Sequence, residues 1–72
     1  MADDLRQREI RARLIPKSAQ ALGELTARTG LSEVDIVNRA LQIYAEFEAE
    51  QAEGKQILIH DPKGETHVLR WF

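Results

Sequence analysis

The sequence predicts a mainly α-helical chain with a minority of β structure: a short N-terminal strand, two helices and a C-terminal β-hairpin. Three observations carry that expectation. Ile10, Arg11, Ala12, Arg13 and Leu14 alternate apolar and basic side chains, the pattern of a half-buried strand. After Pro16, two stretches repeat their apolar residues at helical spacing and are separated by Gly30 and Ser32, residue types that stop and start helices. The tail KQILIHDPKGETHVLRWF sets two apolar runs on either side of a turn sequence.

Size limits what these elements can do alone. A chain of 72 residues forms one domain, and at this length folding removes only about 60% of the surface of the unfolded chain, so stability is marginal. Cysteine is missing, which excludes disulfides and thiolate metal sites and suits a reducing, cytoplasmic compartment. Association with a second chain is the remaining common remedy. No apolar run approaches the roughly 20 residues needed to span a bilayer, so no membrane is expected, and the charged start MADDLRQRE is unlike a signal peptide.

Residues 1 to 8 mix both charges without periodicity and read as a mobile arm. Residues 9 to 54 form the central unit, and 55 to 72 the hairpin. In the strand, Ile10, Ala12 and Leu14 occupy one face and Arg11 and Arg13 the other. Pro16 ends that ladder or opens a helix, because its missing N–H is tolerated in a first helical turn and not in a central strand. Ala19, Leu22 and Leu25 place the first helix at roughly 17 to 29, closed by Gly30 as a left-handed cap.

The second helix opens at LSEVD. Ser32 can cap it, and Asp35 three residues later can complete a capping box and suit the helix dipole. It should run to about 53 and stop at Gly54. Val34, Val37, Leu41 and Tyr44, continuing to Phe47 or Glu48, make one stripe, and Ile36, Ala40, Ile43 and Phe47 a second beside it. So wide an apolar arc exceeds what one short partner helix covers, and a second copy of the chain is the simplest cover.

In the tail, DPKG has Asp first, Pro second and Gly fourth, the preferences of a type I turn followed by a bulge glycine. That register sets Asp61 opposite Glu65, Ile59 opposite His67 and Ile57 opposite Leu69, and gives an apolar face of Ile57, Ile59, Leu69 and Trp71. A two-stranded hairpin is unstable by itself in water, so this face should pack on something.

The stretch IRARLIPKSAQALGELTARTGLSEVDIVNRALQIY resembles the ribbon-helix-helix family of DNA-binding repressors. The alternating strand ending near Pro16, the helix ending in TGLS with its cap at Ser32, and the NRALQIY segment carry the likeness, over about half the chain. It implies an intertwined homodimer, here with an added hairpin, in which two N-terminal strands pair antiparallel. One face of that ribbon covers the helices and the other enters the major groove of double-stranded DNA, which a two-stranded ribbon fits. The dimer core implied is Ile10, Ala12, Leu14, Leu22, Leu25, Val34, Val37, Leu41 and Tyr44.

Arg11 and Arg13 would be the base-reading residues, since arginine contacts guanine O6 and N7 in bidentate fashion, with Glu9 and Ile15 flanking them. An acidic Glu9 on that face could accept from cytosine N4, pair with an arginine, or lie off the groove. The first N–H groups of the second helix, at Ser32, Glu33 and Val34, would hold a phosphate, weakened by the carboxylates of Glu33 and Asp35. Lys17, Arg6 and Arg8 would add phosphate contacts and salt dependence.

The charge distribution bears on this reading. Net charge is −2, which for a whole domain argues against nucleic acid. Up to Lys17, however, five bases face three acids for a net of +2, and from Ser18 onward five bases face nine acids for −4. The same residues allow other readings. Arg11 and Arg13 could be an ordinary solvated strand face, and Ser32 and Asp35 cap a helix whatever else they do. His60 and His67 could meet a metal with Asp61, but the expected register puts them on different faces, so no metal or cofactor is expected. No nucleophile-and-base pair or phosphate loop is visible, so no enzyme is expected. The alternative of another class is an antitoxin-like interaction module that meets a protein partner through the acidic second helix and the hairpin.

Overall fold

The computed structural model describes residues 7–70. The protein is a small mixed α/β chain with two helices, α1 (Pro16–Thr29) and α2 (Glu33–Ala52), and a two-stranded antiparallel sheet of β1 (Leu58–His60) and β2 (Thr66–Val68). Arg6 and Trp71, and with them most of the expected mobile arm and the end of the hairpin's apolar face, lie outside the described residues.

Both helix starts follow from local chemistry. Pro16 is the first residue of α1, one position earlier than the periodicity suggests, and Ile15 before it is extended at φ −70°, ψ 159°. Proline fits there because the first helical N–H has no acceptor in any case. The first α1 bond runs from the Ala19 N–H to the Ile15 carbonyl, 2.9 Å. At the other end Gly30 takes φ 74° and donates to Thr26 O, the left-handed closure that a Cβ would oppose. Thr29 Oγ1 donates to the Leu25 carbonyl at 2.7 Å and accepts the Leu31 N–H at 3.1 Å, so one side chain ties the last turn of α1 to the link into α2.

Ser32 caps α2, its Oγ accepting the Asp35 N–H at 3.1 Å. The helix ends at Ala52, one residue short of the expected limit, and the Gly54 N–H donates to Gln51 O at 2.9 Å. Lys55 holds this end together: its N–H donates to Glu50 O, and its Nζ lies 3.2 Å from Glu50 and 3.1 Å from Glu53.

The hairpin has the expected register, with Leu58 opposite Val68, Ile59 opposite His67 and His60 opposite Thr66. The Asp61 N–H donates to Glu65 O at 2.6 Å and the Leu69 N–H to Ile57 O at 2.8 Å, which extends the pairing at both ends. In the turn, Asp61 Oδ1 accepts the Lys63 N–H at 2.8 Å, Asp61 O accepts the Gly64 N–H, and Gly64 takes φ 108°. These are the aspartate and glycine roles that a three-residue loop requires. Opposed residues share a face, so His60, whose Nδ1 lies 2.9 Å from Thr66 Oγ1, is on the other face from His67.

Packing within one chain is slight. The helices pack on each other, and neither strand packs on a helix. Ile36 is the one buried hydrophobic side chain among the described residues, 7% exposed. Leu22, Thr26, Leu31 and Phe47 are half-buried. Burying one such side chain yields about 1.5–3 kcal/mol, whereas ordering each residue's backbone costs about 1–2 kcal/mol. The surface of 7176 Å² compares with about 4,500 Å² for a compact monomer of this mass. The radius of gyration of 15.3 Å likewise exceeds the roughly 11 Å of a compact domain of this length.

Candidate nucleic-acid interface

The strand expected at residues 10 to 14 does not form within one chain: the segment has no pairing partner among the described residues. Residues 7 to 15 form no helix or strand, and all are exposed. Of the two ways the segment could satisfy its backbone, pairing with the C-terminal hairpin is not used, because the sheet contains β1 and β2 alone. Glu9, Arg11 and Arg13 thus stand at the surface beside Ile10, Ala12, Leu14 and Ile15, with Arg8 before them and Lys17 in the first turn of α1. The backbone at Ile15 is extended and continues directly into α1.

The helix pair also leaves an apolar surface open. Val34, Val37, Leu41 and Tyr44 are all exposed, from 69% at Val34 to 40% at Val37, as are Leu25, Leu14 and Ile10. They share one α2 face by their spacing of three, four and three residues. The intrachain helix packing falls instead on Ile36 of the second stripe, while Ile43 of that stripe stays exposed. Of the nine residues assigned to a dimer core, Leu22 alone is half-buried within one chain. Thr26 and Leu31, which periodicity does not single out, are half-buried as well.

At the start of α2, the first helical bond is Ile36 N–H to Ser32 O, 3.0 Å, and the Asp35 N–H is taken by the cap. The N–H groups of Ser32, Glu33 and Val34 have no hydrogen bond to a described residue. They are positioned for an anion, with the carboxylates of Glu33 and Asp35 in the same turn opposing it.

Elsewhere, a shallow groove of about 280 Å³ runs between the end of α2 and the hairpin, lined by Glu48, Gln51, Gln56, Ile57, Val68, Leu69 and Arg70. The sequence pattern gives no hint of it, since it depends on how the Lys55 clasp directs the chain out of α2. Among the described residues no group of three or more His, Asp or Glu side chains converges on a metal position, and no helix is long and apolar enough to cross a membrane. Compared with family models, curated proteins and solved structures, the chain finds no match. Its function is therefore argued from its residues.

Proposed function

We propose that the chain is a sequence-specific DNA-binding repressor of transcription that works as a ribbon-helix-helix homodimer. The segment Ile10–Leu14 of two chains pairs antiparallel, Ile10, Ala12 and Leu14 cover the exposed stripe of α2, and Arg11 and Arg13 of both chains enter the major groove. One observation carries the reading: an alternating, arginine-bearing segment stands exposed and outside the sheet of its own chain, immediately before a helix pair whose apolar stripe is also exposed. Closing both needs of one chain with the same element of another is the simplest solution. The surface in excess of a compact monomer, about 2,600 Å² per chain and so about 5,200 Å² for two chains by the scaling above, lies at the upper end of what obligate dimers bury in total.

In this reading the N-termini of α2 grip phosphates on either side of the ribbon and fix its register, while the arginines select bases. Lys17, Arg8 and Arg6 add counterion release, and affinity falls steeply with salt. The test is selection of bound fragments from a random duplex pool by the purified protein. A motif with inverted-repeat symmetry is expected, and an unselective pool at low salt would overturn the proposal.

A second reading, an antitoxin-like interaction module, is favoured by the hairpin, whose Leu58 and Ile59 are exposed. The acidic face of α2, with Glu46, Glu48, Glu50 and Glu53, would complement a basic protein. A partner encoded beside this chain that co-purifies with it, and is lost on deletion of residues 55 to 72, is the expected result. Retention after that deletion removes the hairpin from the contact.

A further inference from the structure

The hairpin has a free edge whose hydrogen-bonding groups, side chains and charges can be set out residue by residue. Leu69 donates to Ile57 and Asp61 to Glu65. Antiparallel ladders alternate, so Ile57, Ile59 and Asp61 direct their main-chain groups toward β2, and Gln56, Leu58 and His60 direct theirs away from it. That outer edge carries none of the usual protections against pairing. Its three outward-bonding residues include no charge and no proline, and Pro62 comes only after the strand has ended; edges that stay single are commonly blunted by lysine or proline. Leu58 is 56% exposed and Ile59 42%, while Ile57, like Val68 and Leu69 across the ladder, is half-buried.

We propose that β1 pairs edge to edge with β1 of a second copy of this chain, antiparallel about a two-fold axis through Leu58, making a four-stranded sheet. The sequence is self-complementary in that register. Leu58 meets the partner's Leu58 as a hydrogen-bonded pair, Gln56 meets the partner's His60, and Ile57 meets the partner's Ile59. Lys55, whose Nζ also lies beside Glu50 and Glu53 of its own chain, is then opposite the partner's Asp61 at both ends.

Neighbouring registers are worse. An axis at Ile57 brings Asp61 toward the partner's Glu53, and one at Ile59 brings Lys55 toward the partner's Lys63, like charges in both cases. In the Leu58 register, Ile57, Ile59 and Leu69 of both chains join into one apolar face. Two strands are too few to be stable in water, and three or more with such a face suffice. This pairing goes beyond the DNA-binding reading and uses none of its residues. It links chains through a surface separate from the N-terminal ribbon.

The absence of cysteine allows a register-specific test on the full chain. Leu58→Cys, Gln56→Cys and His60→Cys are each oxidised mildly and run on a non-reducing gel. Across the axis the Leu58 Cα atoms are about 5.5 Å apart, within disulfide range, while Gln56 and its own counterpart are about 14 Å apart, beyond the 7 Å or so that a disulfide spans. Leu58→Cys is expected to form a linked dimer, with Gln56→Cys and His60→Cys each remaining single but linking to each other when mixed.

Equal linking at all three positions, or none at Leu58 and none in the mixture, overturns the proposal. Leu58→Pro supplies a second measurement. It removes an N–H that points away from β2, so the hairpin survives, and self-association through this edge is lost; association unchanged by that substitution counts against the pairing. A chain that links at Leu58 and selects no DNA motif keeps this inference and loses the repressor reading, and the opposite result separates them the other way.

Discussion

Two stretches of this chain are built for β structure, and their fates within one protomer differ. Ile57 to Asp61 is followed by Pro62, Lys63 and Gly64 and finds its partner four residues later. Ile10 to Leu14 leads through Ile15 into Pro16 and a helix, and has no strand partner among the described residues. The first opens on a continuous apolar run, Ile57, Leu58 and Ile59, and the second alternates apolar and basic side chains; both patterns suit a strand. What separates them is the sequence that follows: a turn returns the chain on itself, and a helix start carries it away. Strand propensity therefore states a need for a partner, and the flanking residues decide whether the same chain can supply it.

The sharpest way to break this contrast is at the arginines. Replacing Arg11 and Arg13 together with Ala should reduce site-specific DNA affinity at least about 100-fold, since each bidentate base contact is worth about 1–3 kcal/mol and the dimer carries four such side chains. Sedimentation should show association unchanged. Affinity that persists, measured by mobility shift on a selected site, would reduce those side chains to solvated surface.

A smaller effect is expected in the hairpin. Gly64→Ala forces a side chain into φ 108°, a conformation costing on the order of 1–3 kcal/mol. Loss of the Ile59–His67 cross-strand contacts by NMR, with α1 and α2 signals in place, is the expected result, because neither strand packs on a helix. Loss of the helices as well would show that the hairpin supports them.

Ser32→Ala removes the cap at Asp35 and should cost about 1 kcal/mol, a fall of about 4–8 °C in melting temperature for a domain of this size. The smallest change is Gly23→Ala. In one protomer nothing lies within 4 Å of the added Cβ, so the helix should gain up to about 1 kcal/mol. A loss of stability instead would show that another chain covers that side of α1.

How much of this could be read in advance varied with the range of the interactions. Helix starts and stops were legible at Pro16, Gly30, Ser32 and Gly54 to within a residue, because caps and proline act over three or four positions. The hairpin register was legible because DPKG fixes its own loop length. The use of the α2 face was legible only in part. Two apolar stripes ran side by side, and nothing local told that Ile36 would be buried against α1 while Val34, Val37 and Leu41 would be left open. Thr26 and Leu31 were missed because their burial depends on the angle at which α1 and α2 meet. Arg11 and Arg13 rest on the alternation alone, because every residue from 7 to 15 is exposed and exposure does not set the arginines apart from Ile10, Ala12 and Leu14. The groove beside Lys55 was missed because it is made by the path of the backbone and not by any motif.

That Ile36 is the single hydrophobic side chain buried among the described residues has a consequence for how such a protein behaves at low abundance. In the proposed dimer, with so little hydrophobic core closed inside one chain, folded structure would be subject to mass action, and dilution would favour the unfolded chain. Thermal unfolding should shift upward as concentration is raised. In a cell, freshly made chains would be open to proteases until enough of them accumulate to meet, which turns the amount of protein into a threshold rather than a proportion.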